Sequence, residues 1–337
     1  MSLVSLILPC HDLGRHLEEA VDSVFAQTHR ELEILVVDDA STDAETRRLL
    51  ERFDWPRTRV LRQAQRQPAR ALNAGLQAAA GTFVGVLDPR HVLEPRYVQS
   101  AVAALESDAT LEVVTCRLRE GKADGVPALQ PEGLGLPGLL VSCSLGPAAL
   151  ARRETLLKHG GFDPAFSSAL HAEWDLWLRL AAAGARSHVL PEPLVRLGPA
   201  DDNGDAAQAE ARRLIEKHQA LYERHLSTVL AGKEALLREL SRRNEGIIQR
   251  LEAGFGELAQ RRGEAETLRS RLASDGGARG SAVGAAPVPG WEERDRAAVL
   301  EEALTAARAE VEALRGSASW RLTAPLRAVH AWLTRGR

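Results

Sequence analysis

Short runs of branched apolar residues alternate with helix-like stretches between residues 4 and 87, and this alternation restricts the fold more than any other feature of the chain. The runs lack the polar–apolar alternation of a half-exposed strand, so each is typical of a strand buried on both faces. The runs are residues 4–8, 32–37, 59–61 and 82–87, and the helix-like stretches between them are 14–27, 42–53 and 69–80. Strands separated by helices pair in parallel through right-handed crossovers. We therefore predict an open α/β sheet whose ligands bind beyond the carboxyl ends of the strands.

Charge and cysteine usage exclude several functional classes. The 337-residue chain carries 43 Lys and Arg against 46 Asp and Glu, so its net charge of −3 provides no general attraction for nucleic acid. The three cysteines, Cys10, Cys116 and Cys143, are widely spaced, which indicates neither a disulfide framework nor a zinc site. The apolar run at 3–8 is too short for a secretory signal or a membrane span. We therefore expect a cytoplasmic protein.

The composition changes near residue 205, which divides the chain into a packed domain and an α-helical extension. We predict a domain at 1–204, a coiled-coil segment at 205–273, a flexible linker at 274–290, a second coiled-coil helix at 291–315 and a basic amphipathic tail at 316–337. Heptad steps from Leu226 to Leu272 place Leu, Ile or Ala at ten of fourteen seam positions, a pattern typical of a coiled coil. Self-pairing into a homo-oligomer, pairing with a partner and folding back onto the chain all stay open.

Two acidic residues follow the second predicted strand. The stretch VVDDAS places Asp38 and Asp39 just past the strand end, where carboxylates can accept hydrogen bonds from a ribose or a base. A turn in which an Asp caps the next helix is the alternative, and Thr42 or Asp43 could provide that cap. The first strand is followed by PCHDLG and by no glycine-rich phosphate loop. A Rossmann dehydrogenase and a Walker-type ATPase are therefore disfavoured.

Two helical stretches carry further candidate residues. PARALNAGLQAAAG is rich in small residues and could pack beneath a ligand, with Arg70 offered to a phosphate and Asn73 beside it, although a packed amphipathic helix is the simpler interpretation. In HAEWDLWLRLAAAG, Glu173 and Asp175 flank Trp174. A carboxylate held against tryptophan has a raised proton affinity, which suits a general base. The alternative is a carboxylate that merely stabilises the start of its helix.

Taken in this order, the stretches resemble the inverting glycosyltransferases of family 2, which have the GT-A fold. VSLILPCHD is similar to the opening strand of that family, VVDDASTD to its nucleotide-binding segment VVDDGSTD, and ALNAGLQAAAGTFVGVLD to the helix and strand before its DxD motif. KHGGFDP and AEWDLWLRLAAAG are similar to its acceptor-side segments, and PEPLVRL is similar to the strand that closes its catalytic domain. The resemblance covers residues 3–198. It implies a Rossmann-like, nucleoside-diphosphate-sugar transferase domain.

The same resemblance implies roles for individual residues. The donor nucleotide would be bound by Pro9, Asp38, Asp39, Arg70, Asn73, Asp88 and Arg90. The acceptor side would include Gly161, Phe162 and Trp174. Glu173 stands where the family most often has its catalytic Asp, and it would deprotonate an acceptor hydroxyl as that oxygen attacks the anomeric carbon. Asp175 is the fallback for this base.

The family pattern Asp-x-Asp-Asp is incomplete in this chain, because Asp88 is followed by Pro, Arg90 and His91. The family binds Mg²⁺ or Mn²⁺ here, and a hard divalent cation needs oxygen ligands, which an arginine cannot supply. Asp88 alone would be an incomplete metal site. The histidine that often follows the closing strand is also missing, since Arg196 leads into LGPADD. Either Arg90 replaces the metal and pairs with the diphosphate, or the domain no longer transfers sugars and serves as a binding or scaffolding module.

The final segment, SASWRLTAPLRAVHAWL, resembles a tail found at the ends of bacterial glycosyltransferases for surface polysaccharides. From Ala313 onward the chain has five arginines and no acid, so this helix could lie in the headgroup layer of the inner membrane leaflet. Docking on its own protein or on a partner is the alternative. We therefore predict a transferase that acts on a cell-surface glycan or lipid-linked acceptor, in the cytoplasm or peripherally on the inner face of the membrane. The alternative is a non-catalytic module in polysaccharide assembly.

Overall fold

The computed structural model describes residues 2–52, 54–119, 130–143, 145–198 and 204–239, with the single residues 241, 242, 246, 249, 260 and 267. The chain divides into two compact units, Met1–Gly232 and Lys233–Arg337. The second unit is described for helical residues 233–239 and for those single residues. The predicted linker at 274–290, second helix at 291–315 and tail at 316–337 lie outside the described residues.

The first unit is built on one mixed sheet. Its strands are β1 (Val4–Cys10), β2 (Leu32–Asp38), β3 (Thr58–Arg62), β4 (Phe83–Val86), β5 (Val92–Leu93), β6 (Leu111–Arg119), β7 (Leu150–Arg152) and β8 (Arg186–Arg196). Their order across the sheet is β3-β2-β1-β4-β7-β6-β8-β5. The strands β3, β2, β1 and β4 are parallel to one another, whereas β7 runs antiparallel to both of its neighbours. On the far side, β6 and β8 are parallel and β5 is antiparallel to β8.

Helices cover both faces of this sheet. They are α1 (Gly14–Phe25), α2 (Ala44–Glu51), α3 (Pro68–Ala78), α4 (Tyr97–Ser107), α5 (Leu136–Val141), α6 (Arg153–Lys158), α7 (Ala169–Ala182), α8 (Gly204–Lys217) and α9 (Gln219–Arg224). Successive residues of β1 enter different cores: Leu6 and Leu8 pack with α1 and α4, and Ile7 packs with α3 and α7. Because both faces of the strand are covered, residues 4–8 are all buried, and all of them except Ser5 are apolar.

The predicted α/β architecture is confirmed. The first four strands and the three helices between them agree with the predicted stretches to within a few residues. Thr42 and Asp43 are the two candidates for the N-terminal cap of α2, and Asp43 is the cap. Its Oδ2 accepts a hydrogen bond from the amide of Thr46 at 2.7 Å. Parallel pairing holds for β1 to β4, and the sheet becomes mixed at β7.

The first compact unit continues beyond the predicted domain boundary at residue 204. Leu214, Tyr222 and Val229 are buried in the same core cluster as α3 and α7, so the helices after residue 204 belong to this unit. Leu226 and Leu230, the first two positions of the predicted coiled-coil seam, are 55% and 40% exposed. The coiled coil itself stays a prediction. Among the described residues, the helices are all too short or too polar to cross a bilayer.

Candidate functional site

The carboxyl ends of three neighbouring strands bring predicted site residues together at one edge of the sheet. Pro9 lies near the end of β1, Asp38 ends β2 and Asp39 follows it, with its amide donating to the carbonyl of Cys10 on β1 at 2.8 Å. The strand β4 lies on the other side of β1, and Asp88 follows it by two residues. These residues therefore form a row across the carboxyl edge, where open α/β sheets bind ligands.

The two carboxylates after β2 both hold backbone in place. Asp38 Oδ1 accepts from the amide of Ser41 at 2.9 Å, which closes the turn after the strand. Asp39 Oδ1 accepts from the amide of Gln67 at 2.7 Å, just before α3 begins. Asp39 is 3% exposed, and its burial raises its pKa above the ordinary value. Within the described part of the chain, each carboxylate keeps its second oxygen without a protein partner.

A third acid at this edge escaped the sequence analysis. Asp12 follows β1 with φ of 56°, in the left-handed region. Its carboxylate accepts from the amide of Thr42 at 2.7 Å, from the hydroxyl of Thr42 at 2.8 Å and from the amide of Asp43 at 2.8 Å. It therefore ties the loop after β1 to the start of α2. The available signal was an Asp two residues before a Gly directly after a predicted strand, a common turn pattern.

Asp88 and Arg90 form a closed ion pair. Arg90 Nε donates to Asp88 Oδ1 at 2.9 Å, and Arg90 Nη2 donates to Oδ2 at 2.6 Å. The Arg90 amide also donates to Oδ1 at 2.9 Å. Burial raises the pKa of Asp88, but the hydrogen bonds from Arg90 outweigh it and hold the pKa below its usual value. Asp88 is thus an anion whose two oxygens both face a guanidinium.

These residues do not fit a divalent cation. No group of three His, Cys, Asp or Glu side chains in the described ranges converges as a metal site would require. The oxygens of Asp88 are already engaged by Arg90. His91 is engaged as well, since its Nδ1 accepts from the amide of Gly198 at 3.1 Å, beyond the end of β8. Burial lowers the pKa of His91, so the neutral ring carries its proton on Nε2.

Glu173 on α7 lies near enough to Asp88 for the two charges to interact. It is half-buried, and its carboxylate accepts no hydrogen bond from the residues that the structure describes. Burial, and then the negative charge of Asp88, raises the pKa of Glu173 to about 8. Burial raises the pKa of the Cys143 thiol, with a further contribution from Glu173. Glu173 therefore lies close to both residues and holds a proton with the affinity expected of a general base near neutral pH.

Asp175, two residues further along α7, has the opposite environment. It is fully buried beside two cations and an imidazole: Arg179 Nη2 lies 2.8 Å from Oδ2, and Lys217 Nζ and His218 Nε2 lie 2.7 and 2.8 Å from Oδ1. Burial alone would raise the pKa of Asp175, but the hydrogen bonds from His218 and Lys217 and the charge of Arg179 bring it down to about 2. This environment suits a structural carboxylate that stays ionised.

The loop before α7 is held by hydrogen bonds from two helices, α7 and α3. Arg179 Nη2 donates to the carbonyl of Gly161 at 2.6 Å. Asn73 on α3 donates to the carbonyl of Phe162 at 2.6 Å and accepts from its amide at 2.9 Å. Phe162 itself is 1% exposed. The side chain of Asn73 is therefore occupied in joining α3 to the loop that leads into α7.

The remaining predicted residues lie nearby in different settings. Trp174 donates its indole N–H to the carbonyl of Leu139 at 2.6 Å and is half-buried. Arg70 is exposed on α3, and its guanidinium makes no hydrogen bond within the described ranges. The sequence analysis missed Gln67, Lys217 and His218, which hold Asp39 and Asp175. Nothing in their spacing marked them, because these contacts join parts of the chain far apart in sequence.

Comparison with known families gives the following matches. Residues 5–154 match the family described as Glycosyl transferase family 2. The chain is 30% identical over 251 residues to the O-antigen biosynthesis protein RfbC of Myxococcus xanthus, covering 72% of this chain and 18% of that protein. It is 27% identical over 195 residues to chondroitin synthase of Escherichia coli, covering 56% of this chain and 28% of that protein. The chain thus spans less than a third of either relative.

Solved structures share the fold. The S. aureus TarS 1-349 complex with UDP aligns with a TM-score of 0.50 and 18% identity, over 65% of this chain and 72% of that one. The mannosyltransferase PcManGT from Pyrobaculum calidifontis, in complex with GDP-Man and Mn²⁺, aligns with a TM-score of 0.50 and 20% identity, over 92% of this chain and 87% of that one. The predicted GT-A fold is thereby confirmed for the α/β domain.

Proposed function

Because residues 5–154 form a glycosyl transferase family 2 domain, we propose that the protein transfers a sugar from a nucleoside diphosphate to a hydroxyl of a cell-surface glycan or lipid-linked acceptor, with inversion. The observation that carries this proposal is the pairing of the buried Asp88–Arg90 ion pair with Glu173, a carboxyl group whose pKa is raised to about 8 by burial and by the charge of Asp88. Relatives named for O-antigen biosynthesis and chondroitin synthesis support a glycan product.

In the proposed reaction, Glu173 is the general base. Its carboxylate takes the proton from the acceptor hydroxyl as that oxygen forms a bond to the anomeric carbon. The bond from the anomeric carbon to the diphosphate breaks on the opposite face, and its electron pair leaves with the nucleoside diphosphate. Inversion follows from this single displacement. The raised pKa of Glu173 supports the role, because a base of ordinary carboxylate pKa would bind the proton too weakly.

Arg90 is proposed to serve where related enzymes use a cation. Asp88 holds the guanidinium through Nε and Nη2, which fixes its plane. A fixed guanidinium can pair with phosphate oxygens and stabilise the charge that develops on the leaving diphosphate. We therefore propose a donor site that works without Mg²⁺ or Mn²⁺. Pro9, Asp38 and Asp39 would contact the nucleoside.

A non-catalytic role is the second candidate function, and the closed Asp88–Arg90 pair favours it as well. If Asp88 neutralises Arg90 in the working protein, the domain binds a nucleotide weakly or not at all. The chain would then act in polysaccharide assembly as a binding module, with its heptad segments joining copies or partners and its basic tail at the inner membrane surface.

Calorimetric titration separates these candidates. UDP, GDP and dTDP are each titrated into the protein with Mn²⁺ and with EDTA, and the same is done with Arg90→Ala and, as a matched control, Arg96→Ala. We expect one nucleotide to bind equally well under both conditions, with a loss of roughly 10- to 100-fold for Arg90→Ala. The control should bind like the unmodified chain, because Arg96 is exposed at the start of α4.

Two other results would change the conclusion. Binding that needs Mn²⁺ would show that Arg90 does not replace the cation. Absence of binding for all three nucleotides would favour the scaffolding role. Turnover with a bound donor then tests the transfer itself, because a nucleotide-binding module without a base releases no diphosphate.

A further inference from the structure

A stretch of uncompensated positive charge lies along one border of the sheet. Residues 55–70, here called the arginine edge, contain five arginines and no Asp or Glu, in a chain whose net charge is −3. The acid Asp54 lies just before the stretch. All five arginines are exposed: Arg57, Arg59, Arg62, Arg66 and Arg70. Across the ranges that the structure describes, none of them forms an ion pair. Their charge is therefore presented to the solvent.

The fold spreads these charges out. The strand β3 lies at the end of the sheet, so one of its backbone edges has no strand partner among the residues that the structure describes. Arg59 Nη1 reaches the carbonyl of Ala78 at the end of α3 (3.3 Å), and Arg62 Nη2 reaches the carbonyl of Leu50 on α2 (3.1 Å), so the two side chains lie on opposite faces of the sheet. From residue 58 to residue 62 the strand rises about 13 Å. Such a spread cannot converge on one phosphate and matches an extended anionic surface.

Aromatic side chains lie where the arginine edge begins, at Trp55. Trp55 is half-buried and Phe25 is 37% exposed, and their rings meet edge to face with centroids 6.0 Å apart. Charged edge strands also prevent pairing between copies, but that purpose does not require a neighbouring aromatic pair with Phe25 exposed and Trp55 half-buried. Arginine beside tryptophan is the combination found where proteins contact the boundary between headgroups and acyl chains.

We propose that the arginine edge binds the phosphate headgroups of an anionic membrane surface. Each arginine near such a surface strengthens binding by about fivefold, and the effects of several arginines multiply. This contact is separate from the predicted amphipathic tail at 316–337. It also does not depend on the proposed transfer reaction, since Arg57, Arg59 and Arg62 lie outside the donor and base sites.

The test uses the full chain and vesicles of phosphatidylcholine, with or without phosphatidylglycerol. We expect the protein to sediment with the anionic vesicles alone, and added salt to release it. The triple variant Arg57→Gln, Arg59→Gln, Arg62→Gln should bind about 100-fold more weakly. The matched control is Arg96→Gln, Arg117→Gln, Arg224→Gln, which removes the same charge from exposed positions elsewhere and should bind like the parent chain. Circular dichroism confirms that both variants are folded.

Hydrogen exchange identifies the contact independently of the tail. Anionic vesicles should slow amide exchange within residues 55–62, because the unpaired edge of β3 becomes covered. The proposal is overturned if both triple variants bind alike, if protection is confined to residues outside the arginine edge, or if the edge binds soluble chondroitin sulfate and no vesicle. The last outcome would assign the surface to an acidic polymer.

Discussion

At the scale of single residues, Glu173 and Asp175 show how neighbours on one helix can acquire opposite chemistry. Two positions along a helix correspond to a rotation of about 200°, so the side chains point to different sides. Asp175 lies beside the charged groups of Arg179 and Lys217 and the imidazole of His218, whereas Glu173 is subject to burial and to the negative charge of Asp88. Their pKa values consequently move apart, to about 2 and about 8. Pairs of carboxyl groups separated in this way divide structural and proton-transfer roles.

Glu173→Gln should abolish transfer and leave nucleotide binding unchanged. General-base removal typically costs about 10²- to 10⁴-fold in rate. In the parent protein the acid limb of kcat/KM should have its midpoint near pH 8, with activity rising as Glu173 loses its proton. Steady-state kinetics across pH checks this prediction. A variant that keeps full turnover, or an acid limb at the ordinary pKa of a carboxyl group, would contradict it.

The same substitution makes a prediction about stability. The fold raises the pKa of Glu173 from 4.5 to about 8, so the stability associated with the protonated group is present below pH 4.5 and is lost as pH rises through 8. Gln has no charge to bury. Glu173→Gln should therefore match the parent at low pH and be more stable above pH 8, by on the order of 2 kcal/mol after allowance for partial exposure. Thermal melts at both pH values measure the difference.

At the scale of elements, α7 is held by the helices and the loop around it. Asn73 on α3 binds the backbone of Phe162, Arg179 on α7 binds Gly161, and the end of α8 binds Asp175. Glu210 on α8 adds a contact of its own, since its Oε2 accepts from the Ser167 amide at 3.0 Å. The orientation of the proposed base is thus set by contacts that lie outside the helix itself.

Two adjacent glycines allow the hydrogen bonds between Asn73 and the backbone of Phe162 to be tested. Gly160 and Gly161 have φ of 81° and 65°, but a Cβ on Gly160 meets nothing within 4 Å, whereas a Cβ on Gly161 would lie 2.5 Å from Asn73 Oδ1. Gly160→Ala should cost about 1 kcal/mol from backbone strain alone. In Gly161→Ala the new methyl group would also clash with Asn73 Oδ1, which binds the backbone of Phe162. This variant should therefore lose about 2 to 3 kcal/mol of unfolding free energy. Urea unfolding of both variants compares them, and equal losses would contradict the proposed role of these hydrogen bonds.

Asp175→Asn should destabilise the fold without changing the pH profile that Glu173 sets. The substitution leaves Lys217, His218 and Arg179 around an uncharged group, and breaking a buried ion pair costs about 3 to 5 kcal/mol. Asp175 stabilises the fold above its unfolded pKa of 3.8, and this contribution is lost as pH falls toward 2. The difference in melting temperature should therefore shrink in acid. If the acid limb of kcat/KM shifts in Asp175→Asn, Asp175 and not Glu173 would be the general base.

At the scale of the whole molecule, the compact unit ends at Gly232 and not at the predicted boundary of residue 204. A chain of residues 1–232 should fold cooperatively and bind the same nucleotide as the full chain. A chain of residues 1–203 lacks Lys217 and His218 and exposes the surface that Leu214 covers, so it should aggregate or melt far lower. Circular dichroism melts compare the two. Cooperative folding of residues 1–203 would contradict the wider boundary.

Features that depend on residues close together in the sequence could be predicted, whereas features that depend on distant residues could not. The strands β1, β2 and β4 are largely apolar because both of their faces are buried, and Asp43 caps its own helix, so each of these features leaves a pattern over a few residues. The strand β7 is only three residues long and is fixed by antiparallel neighbours. The contact of His218 with Asp175 spans 43 residues. Such contacts depend on the assembled fold, and no spacing rule predicts them.

The Asp88–Arg90 pair has a consequence for how a cell would operate this protein. A guanidinium is synthesised with the chain: it is never in short supply, never displaced by a competing ion, and never removed by a chelating metabolite. With such a built-in charge, the proposed donor site would be indifferent to the surrounding level of manganese or magnesium. The supply of the activated sugar would then decide how fast the product is made.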